Sequence, residues 1–154
     1  MPGLKVGDKL PEFELATTAG PFRSRAKRDG ALVVYFYPRD NTPGCTLEGA
    51  DFRDLFPAYR RAGTAILGIS TDTLESHRRF REKIQFPFDL GSDQDHAVAS
   101  LFGVWKQKSM YGRKTMGIER STFLIDARGV VRSEWRKVRV AGHAALVLEA
   151  ARAL

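Results

Sequence analysis

The chain has 154 residues, 43% hydrophobic and 28% charged, with a formal net charge of +7. That balance argues against disordered and membrane classes, and the length suits one α/β domain over residues 1–154. No apolar run approaches the ~20 residues a membrane helix needs. The opening residues, Met1 to Asp8, hold neither an apolar leader core nor an Arg- and Ser-rich presequence. The cytoplasm is therefore the expected compartment. Basic residues gather at Arg23, Arg25, Lys27 and Arg28, at Arg78, Arg79, Arg81 and Lys83, and at Arg132, Arg136, Lys137 and Arg139. Acids lie between these groups and no nucleic-acid signature accompanies them, so they read as solvated surface with no nucleic-acid partner. A weaker reading is that the positive field attracts small anionic partners, such as a tripeptide thiol.

Glu12 to Ala16 and Phe22 to Arg25 read as short strands around a Thr-Thr-Ala-Gly-Pro turn. Ala31 to Tyr37 is a β-branched and aromatic run, the pattern of a strand buried on both faces. Leu47, Phe52, Leu55, Phe56 and Tyr59 then recur at helical spacing over 43–62, up to Gly63, with Pro57 expected to disturb or restart the helix. Thr64 to Ser70 is a second buried strand, and Thr73 to Ile84 a basic amphipathic helix. A short strand at Pro87 to Leu90 and a helix from Gln94 to Phe102 follow. Residues 105–118 lack clear periodicity and read as a loop. Arg120 to Asp126 and Val130 to Lys137 form a hairpin around Ala127-Arg128-Gly129, and a helix from about Ala141 to Ala153 ends the chain. Strands alternating with helices, then a closing hairpin and helix, imply a mixed central sheet flanked by helices.

Cys45 is the only cysteine, so no internal disulfide can form. A lone cysteine is often a small buried hydrophobe, but the neighbours of this one favour chemistry. It lies just beyond the apolar strand, in Pro38-Arg39-Asp40-Asn41-Thr42-Pro43-Gly44-Cys45-Thr46. Thr42 has N-cap chemistry, Pro43 suits the first helical position, and Cys45 falls in the first turn. Unpaired N–H groups and the helix dipole favour a thiolate there. Holding a thiol mostly as thiolate at neutral pH takes about 3.4 kcal/mol. A helix terminus supplies ~1 and at best ~2 kcal/mol. A fixed cation is therefore expected nearby.

The pattern Pro38-x-x-x-Thr42-x-x-Cys45 resembles the active-site motif of the peroxiredoxins, thiol peroxidases on a thioredoxin-like fold. Val6-Gly7-Asp8-Lys9-Leu10-Pro11-Glu12-Phe13 is similar to that family's N-terminal segment. Two further stretches, Thr42-Pro43-Gly44-Cys45-Thr46-x-Glu48 and Tyr111-Gly112…Met116-Gly117-Ile118-x-Arg120-Ser121-Thr122-Phe123-Leu124-Ile125-Asp126, resemble the bacterioferritin comigratory, or peroxiredoxin Q, branch. The resemblance implies that Cys45 is the peroxidatic nucleophile and that the Thr42 hydroxyl bonds the thiolate and a peroxide oxygen. It implies further that Arg120 is the missing cation and that Pro38 shields the site from water. Acidity alone gives a modest gain, because thiolate nucleophilicity falls with pKa. Groups that meet charge developing as the O–O bond breaks must supply the rest: Thr42, Arg120 and the N–H groups of Gly44 and Cys45. Gly44 leaves room for a small peroxide. Glu48, on the same helical face as Cys45, reads by itself as an ordinary helix carboxylate; the resemblance has it hold the arginine or the peroxide pocket.

Many relatives of this branch carry a resolving cysteine five positions after the nucleophile, where this chain has Ala50. Positions five apart in an intact helix have Cα atoms about 8.7 Å apart, beyond the ~7 Å a disulfide spans. The expectation is a one-cysteine cycle. Hydrogen peroxide or an organic hydroperoxide oxidises Cys45 to a sulfenic acid, which thioredoxin, glutaredoxin or glutathione then resolves from outside. A disulfide between two copies is the less favoured route. No cofactor is implied, and one cysteine with scattered histidines lacks metal-ligand spacing. The resemblance implies a monomer. A cysteine hydrolase would need a histidine partner, but His77, His96 and His143 read as surface or helix-end residues. The competing function is a non-enzymatic peroxide sensor or redox-regulated chaperone using the same cysteine. Phe102, Trp105 and Tyr111 are candidates for an apolar wall beside the peroxide, or simply core.

Overall fold

The computed structural model describes residues 3–154. In chain order its elements are β1 (Glu14–Thr17), β2 (Gly20–Arg23), β3 (Ala31–Phe36), α1 (Pro43–Arg61), β4 (Thr64–Ser70), α2 (Leu74–Ile84) and β5 (Asp89–Ser92). Then come α3 (Ala97–Leu101), β6 (Trp105–Met110), β7 (Arg113–Ile118), β8 (Ser121–Ile125), β9 (Val131–Trp135) and α4 (His143–Arg152).

A 7-stranded mixed sheet runs in the order β2-β1-β5-β4-β3-β8-β9. The central β3, β4 and β5 are parallel, which requires the α1 and α2 crossovers, while β8 and β1 join antiparallel on either side. Alternation along β3 divides the core. Val33, Tyr35 and Tyr37 pack with Phe52, Tyr59, Phe80, Val147 and Leu148 under α1, α2 and α4. Leu32, Val34 and Phe36 pack on the other face with Val98, Phe102, Phe123 and Val131. Burial on both faces explains the unbroken apolar run in this strand. No helix among the described residues is long and apolar enough to cross a membrane.

Residues 105–118 are not a loop: β6 and β7 form an antiparallel ribbon pairing Trp105 with Ile118 and Lys106 with Gly117. The ribbon is a 2-stranded sheet of its own. Most of its residues face solvent, so neither side has the apolar alternation that marks a half-buried strand. Pro57 does not interrupt α1, because it lies on the exposed side of a helix whose opposite face is held by Phe52 and Tyr59. Leu47 keeps the apolar spacing yet is 54% exposed. The helix expected from Gln94 is shorter, because Asp93 receives the Val98 and Ala99 N–H groups and α3 starts only at Ala97.

Candidate active site

The site lies at the C-terminal end of β3. Tyr37 ends the apolar run fully buried, Pro38 is half-buried, and Asn41 takes the left-handed conformation at φ 61° to turn the chain into α1. Thr42 is the N-cap with extended backbone, Pro43 occupies the first turn, and the Cys45 residue is 2% exposed. The N–H groups of Gly44 and Cys45 have no acceptor within the helix, so the sulfur sits where the helix end is electropositive. Thr42 holds the N-cap position without capping chemistry. Its hydroxyl donates to the Arg39 carbonyl at 2.9 Å. The only proton on that oxygen is thereby engaged, so in this arrangement Thr42 offers the sulfur no donor and instead presents lone pairs, which suit a hydroperoxide O–H.

Arg120 supplies the expected cation. Pairing of Phe36 with Ser121 places Arg120 just beyond β8, across from the end of β3. Its guanidinium donates from Nη2 to Cys45 Sγ at 3.3 Å and from Nη1 to Glu48 Oε1 at 2.6 Å. Glu48 is not an ordinary helix carboxylate: its side chain is 1% exposed, and Oε2 is buried with no hydrogen-bond partner among the described residues. Burial pushes the Glu48 carboxyl up to about 7, against the pull of Arg120. Burial also opposes the charge of Arg120, but Glu48 and Cys45 outweigh it and hold the guanidinium above its ordinary value. The burden of burial thus falls on the acid. Gly44 belongs to the same geometry, since a Cβ there would lie 3.2 Å from Arg120 Nη2.

Two buried histidines were not foreseen. His77 is neither at the surface nor at a helix end; it lies inside α2 with 0% exposure, its Nδ1 2.7 Å from Asp40 Oδ2. His143 does start α4, but it is buried, with Nε2 2.8 Å from the Thr122 hydroxyl. Burial and the Arg120 charge lower His143 to about 4, so it is neutral at physiological pH. His96 is exposed and stacks on Trp105. The three aromatics do not form one wall: Phe102 is core on the opposite face of the sheet and Tyr111 is 98% exposed. Buried histidines leave no motif in sequence, because the side chains that hold them, Asp40 for His77 and Thr122 for His143, come from other elements.

The AhpC/TSA family model matches residues 6–134 of the chain. The chain belongs to that family. Its relatives place it among the peroxiredoxins of the Bcp branch, with thioredoxin-like architecture. It is 53% identical to Peroxiredoxin Bcp of Xanthomonas campestris over 129 residues, covering 84% of this chain and 81% of that one. A structure of the Xanthomonas campestris bacterioferritin comigratory protein, described in connection with its alkyl peroxide reduction activity, superposes with a TM-score of 0.87 at 48% identity. That match covers 92% of this chain and 90% of the other. A cysteine-to-serine mutant of Xylella fastidiosa PrxQ superposes with a TM-score of 0.93 at 37% identity, covering 99% and 98% of the two chains. This peroxiredoxin is a thiol-dependent peroxidase, and its single cysteine fits the one-cysteine type.

Proposed function

We propose that this peroxiredoxin reduces hydrogen peroxide and alkyl hydroperoxides with Cys45 as nucleophile and an external thiol as reductant. The contact between Arg120 and the Cys45 sulfur carries this reading, because it places the cation that the helix terminus alone lacks. The Cys45 thiolate attacks one peroxide oxygen, the O–O bond breaks, and the bonding pair leaves on the other oxygen as alkoxide or hydroxide, which takes a proton. Cys45 becomes a sulfenic acid, oxidised by two electrons. Arg120 and the N–H groups of Gly44 and Cys45 meet the developing charge, Thr42 accepts from the peroxide O–H, and Pro38 keeps bulk water away. Glu48 aims the guanidinium. The alkyl peroxide activity described for the Xanthomonas campestris protein supports the substrate class.

A first thiol then condenses with the sulfenic acid, forming a mixed disulfide and releasing water. A second thiol frees Cys45 as the two donors become a disulfide. Ala50 lies inside α1, and the chain has no second cysteine, so the donor comes from another molecule: thioredoxin, glutaredoxin or glutathione. The protein acts as a cytoplasmic monomer with one domain over 1–154. Steady-state peroxide consumption with each donor, for wild type and Cys45→Ser, tests the reading. Turnover by wild type alone is expected; wild-type consumption no faster than the Cys45→Ser background with every donor would identify a sensor instead of an enzyme.

A further inference from the structure

We infer that buried Asp40 and His77, with half-buried Asp72, form a clamp that positions Thr42 for the incoming peroxide. The inference rests on the reading of Thr42 given above. The Arg39–Asp40 peptide lies at its centre. Its carbonyl accepts the Thr42 hydroxyl at 2.9 Å, and its N–H donates to Asp72 Oδ2 at 2.8 Å. The peptide is planar, with N–H and C=O pointing in opposite directions, so the bond to Asp72 fixes the direction of the Arg39 carbonyl. That carbonyl in turn fixes where the Thr42 lone pairs point.

The remaining bonds keep this peptide from turning. Asp40 Oδ1 accepts from the Tyr37 hydroxyl at 2.6 Å, and Oδ2 accepts from the Ser76 hydroxyl at 2.8 Å. His77 Nε2 faces the Gly91 carbonyl at 2.8 Å, while Nδ1 faces Asp40 Oδ2 at 2.7 Å. A carbonyl cannot donate, so Nε2 carries a hydrogen, and one proton must also lie between Nδ1 and Oδ2. Both ring nitrogens and both Asp40 oxygens are therefore engaged, with the Asp40 and His77 side chains 4% and 0% exposed. Asp72 also accepts from the Ser70 hydroxyl at the end of β4. Nearer the surface, Lys83 of α2 donates to Asn41 Oδ1 at 2.9 Å. The segment bearing Pro38 and Thr42 is thus fastened to α2 at Ser76, His77 and Lys83, and through Asp72 to Ser70 of β4.

These oxygen and nitrogen atoms of Asp40, Asp72 and His77 cluster within 4.8 Å, a spacing that also suits a cation. The bonds above instead give the cluster a structural task within the protein. Polar groups buried as deeply as Asp40 and His77 are costly unless every partner is in place, so the arrangement has little freedom to drift. Its consequence is for peroxide, and not for thiolate reactions in general. An alkylating agent has no O–H to orient, so its reaction with Cys45 should not need the clamp.

Rapid mixing of the reduced protein with hydrogen peroxide, and separately with iodoacetamide, distinguishes these cases. Asp72→Ala and Asp40→Asn should slow oxidation of Cys45 about 10- to 100-fold, the order of one misplaced transition-state contact. Alkylation should stay within about two-fold of wild type, and combination with Thr42→Val should add little further loss, because both changes remove one coupled contact. The exposed Lys83→Met change keeps the test open if a buried variant does not fold; a smaller loss with peroxide alone is expected. Equal slowing of peroxide and iodoacetamide, or full additivity with Thr42→Val, would overturn the clamp while leaving Cys45 the nucleophile. A Thr42→Val protein as fast as wild type would overturn the role of Thr42 itself, and the clamp with it.

Discussion

One guanidinium at Arg120 serves two acceptors on the same helix, the Cys45 sulfur at 3.3 Å and a Glu48 oxygen at 2.6 Å. A planar fork can do this because its donors diverge at fixed angles, whereas a lysine ammonium is a point charge on a flexible stem. Arg120→Lys should therefore keep a cation near the sulfur yet lower the rate of Cys45 oxidation roughly 100-fold, as for loss of one preorganised donor. Gly44→Ala makes a milder version of the same error: its Cβ would stand 3.2 Å from Nη2 and push the guanidinium by a few tenths of an ångström. Stopped-flow oxidation of each variant checks the order, wild type fastest, Gly44→Ala slowed less than about ten-fold, and Arg120→Lys slowest. A lysine variant matching wild type would mean that charge alone suffices.

At the scale of the element, α1 is one helix from Pro43 to Arg61, with Cys45 and Ala50 both inside it. Cα atoms five positions apart in such a helix are about 8.7 Å from each other, too far for a disulfide at ~7 Å or less. A cysteine installed by Ala50→Cys would bond Cys45 only if the helix start unwound. After one equivalent of peroxide, the wild type should keep its helical circular dichroism and hold a sulfenic acid that dimedone traps. Oxidised Ala50→Cys should lose helical signal and trap little. A disulfide in that variant with the helix signal intact would refute the geometry. The same helix shows what could be read beforehand: the Thr42 and Pro43 start, the first-turn cysteine and the need for a cation were all legible, because caps and apolar spacing are local. Arg120 needed the resemblance as well, since the strand pairing that brings it across from β3 joins distant parts of the chain. The β6–β7 ribbon was missed because its solvated faces carry no alternation, and His77 because its carboxylate partner lies on another element.

At the scale of the whole molecule, two buried groups set opposing responses to pH. The Glu48 carboxyl is raised from 4.5 to about 7 by burial, so the stability it contributes is present below 4.5 and is lost as pH rises through 7. His143 is lowered from 6.5 to about 4, chiefly by burial and further by Arg120. Its contribution is present above 6.5 and is lost as pH falls through 4. Between 4.5 and 6.5 the native protein holds the Glu48 proton that the unfolded chain gives up, while the unfolded chain takes a His143 proton that the native protein refuses. The two slopes have opposite sign, each at most ~1.4 kcal/mol per pH unit, and they offset over this window. His143→Gln removes one of them, so its stability relative to wild type should decline steadily from pH 4.5 to 6.5. Glu48→Gln should tilt the other way over the same range, gaining on wild type as pH rises. Urea unfolding midpoints of the three proteins at half-unit steps of pH decide the matter. Curves that stay parallel for either variant would show that the residue removed does not carry the proton assigned to it.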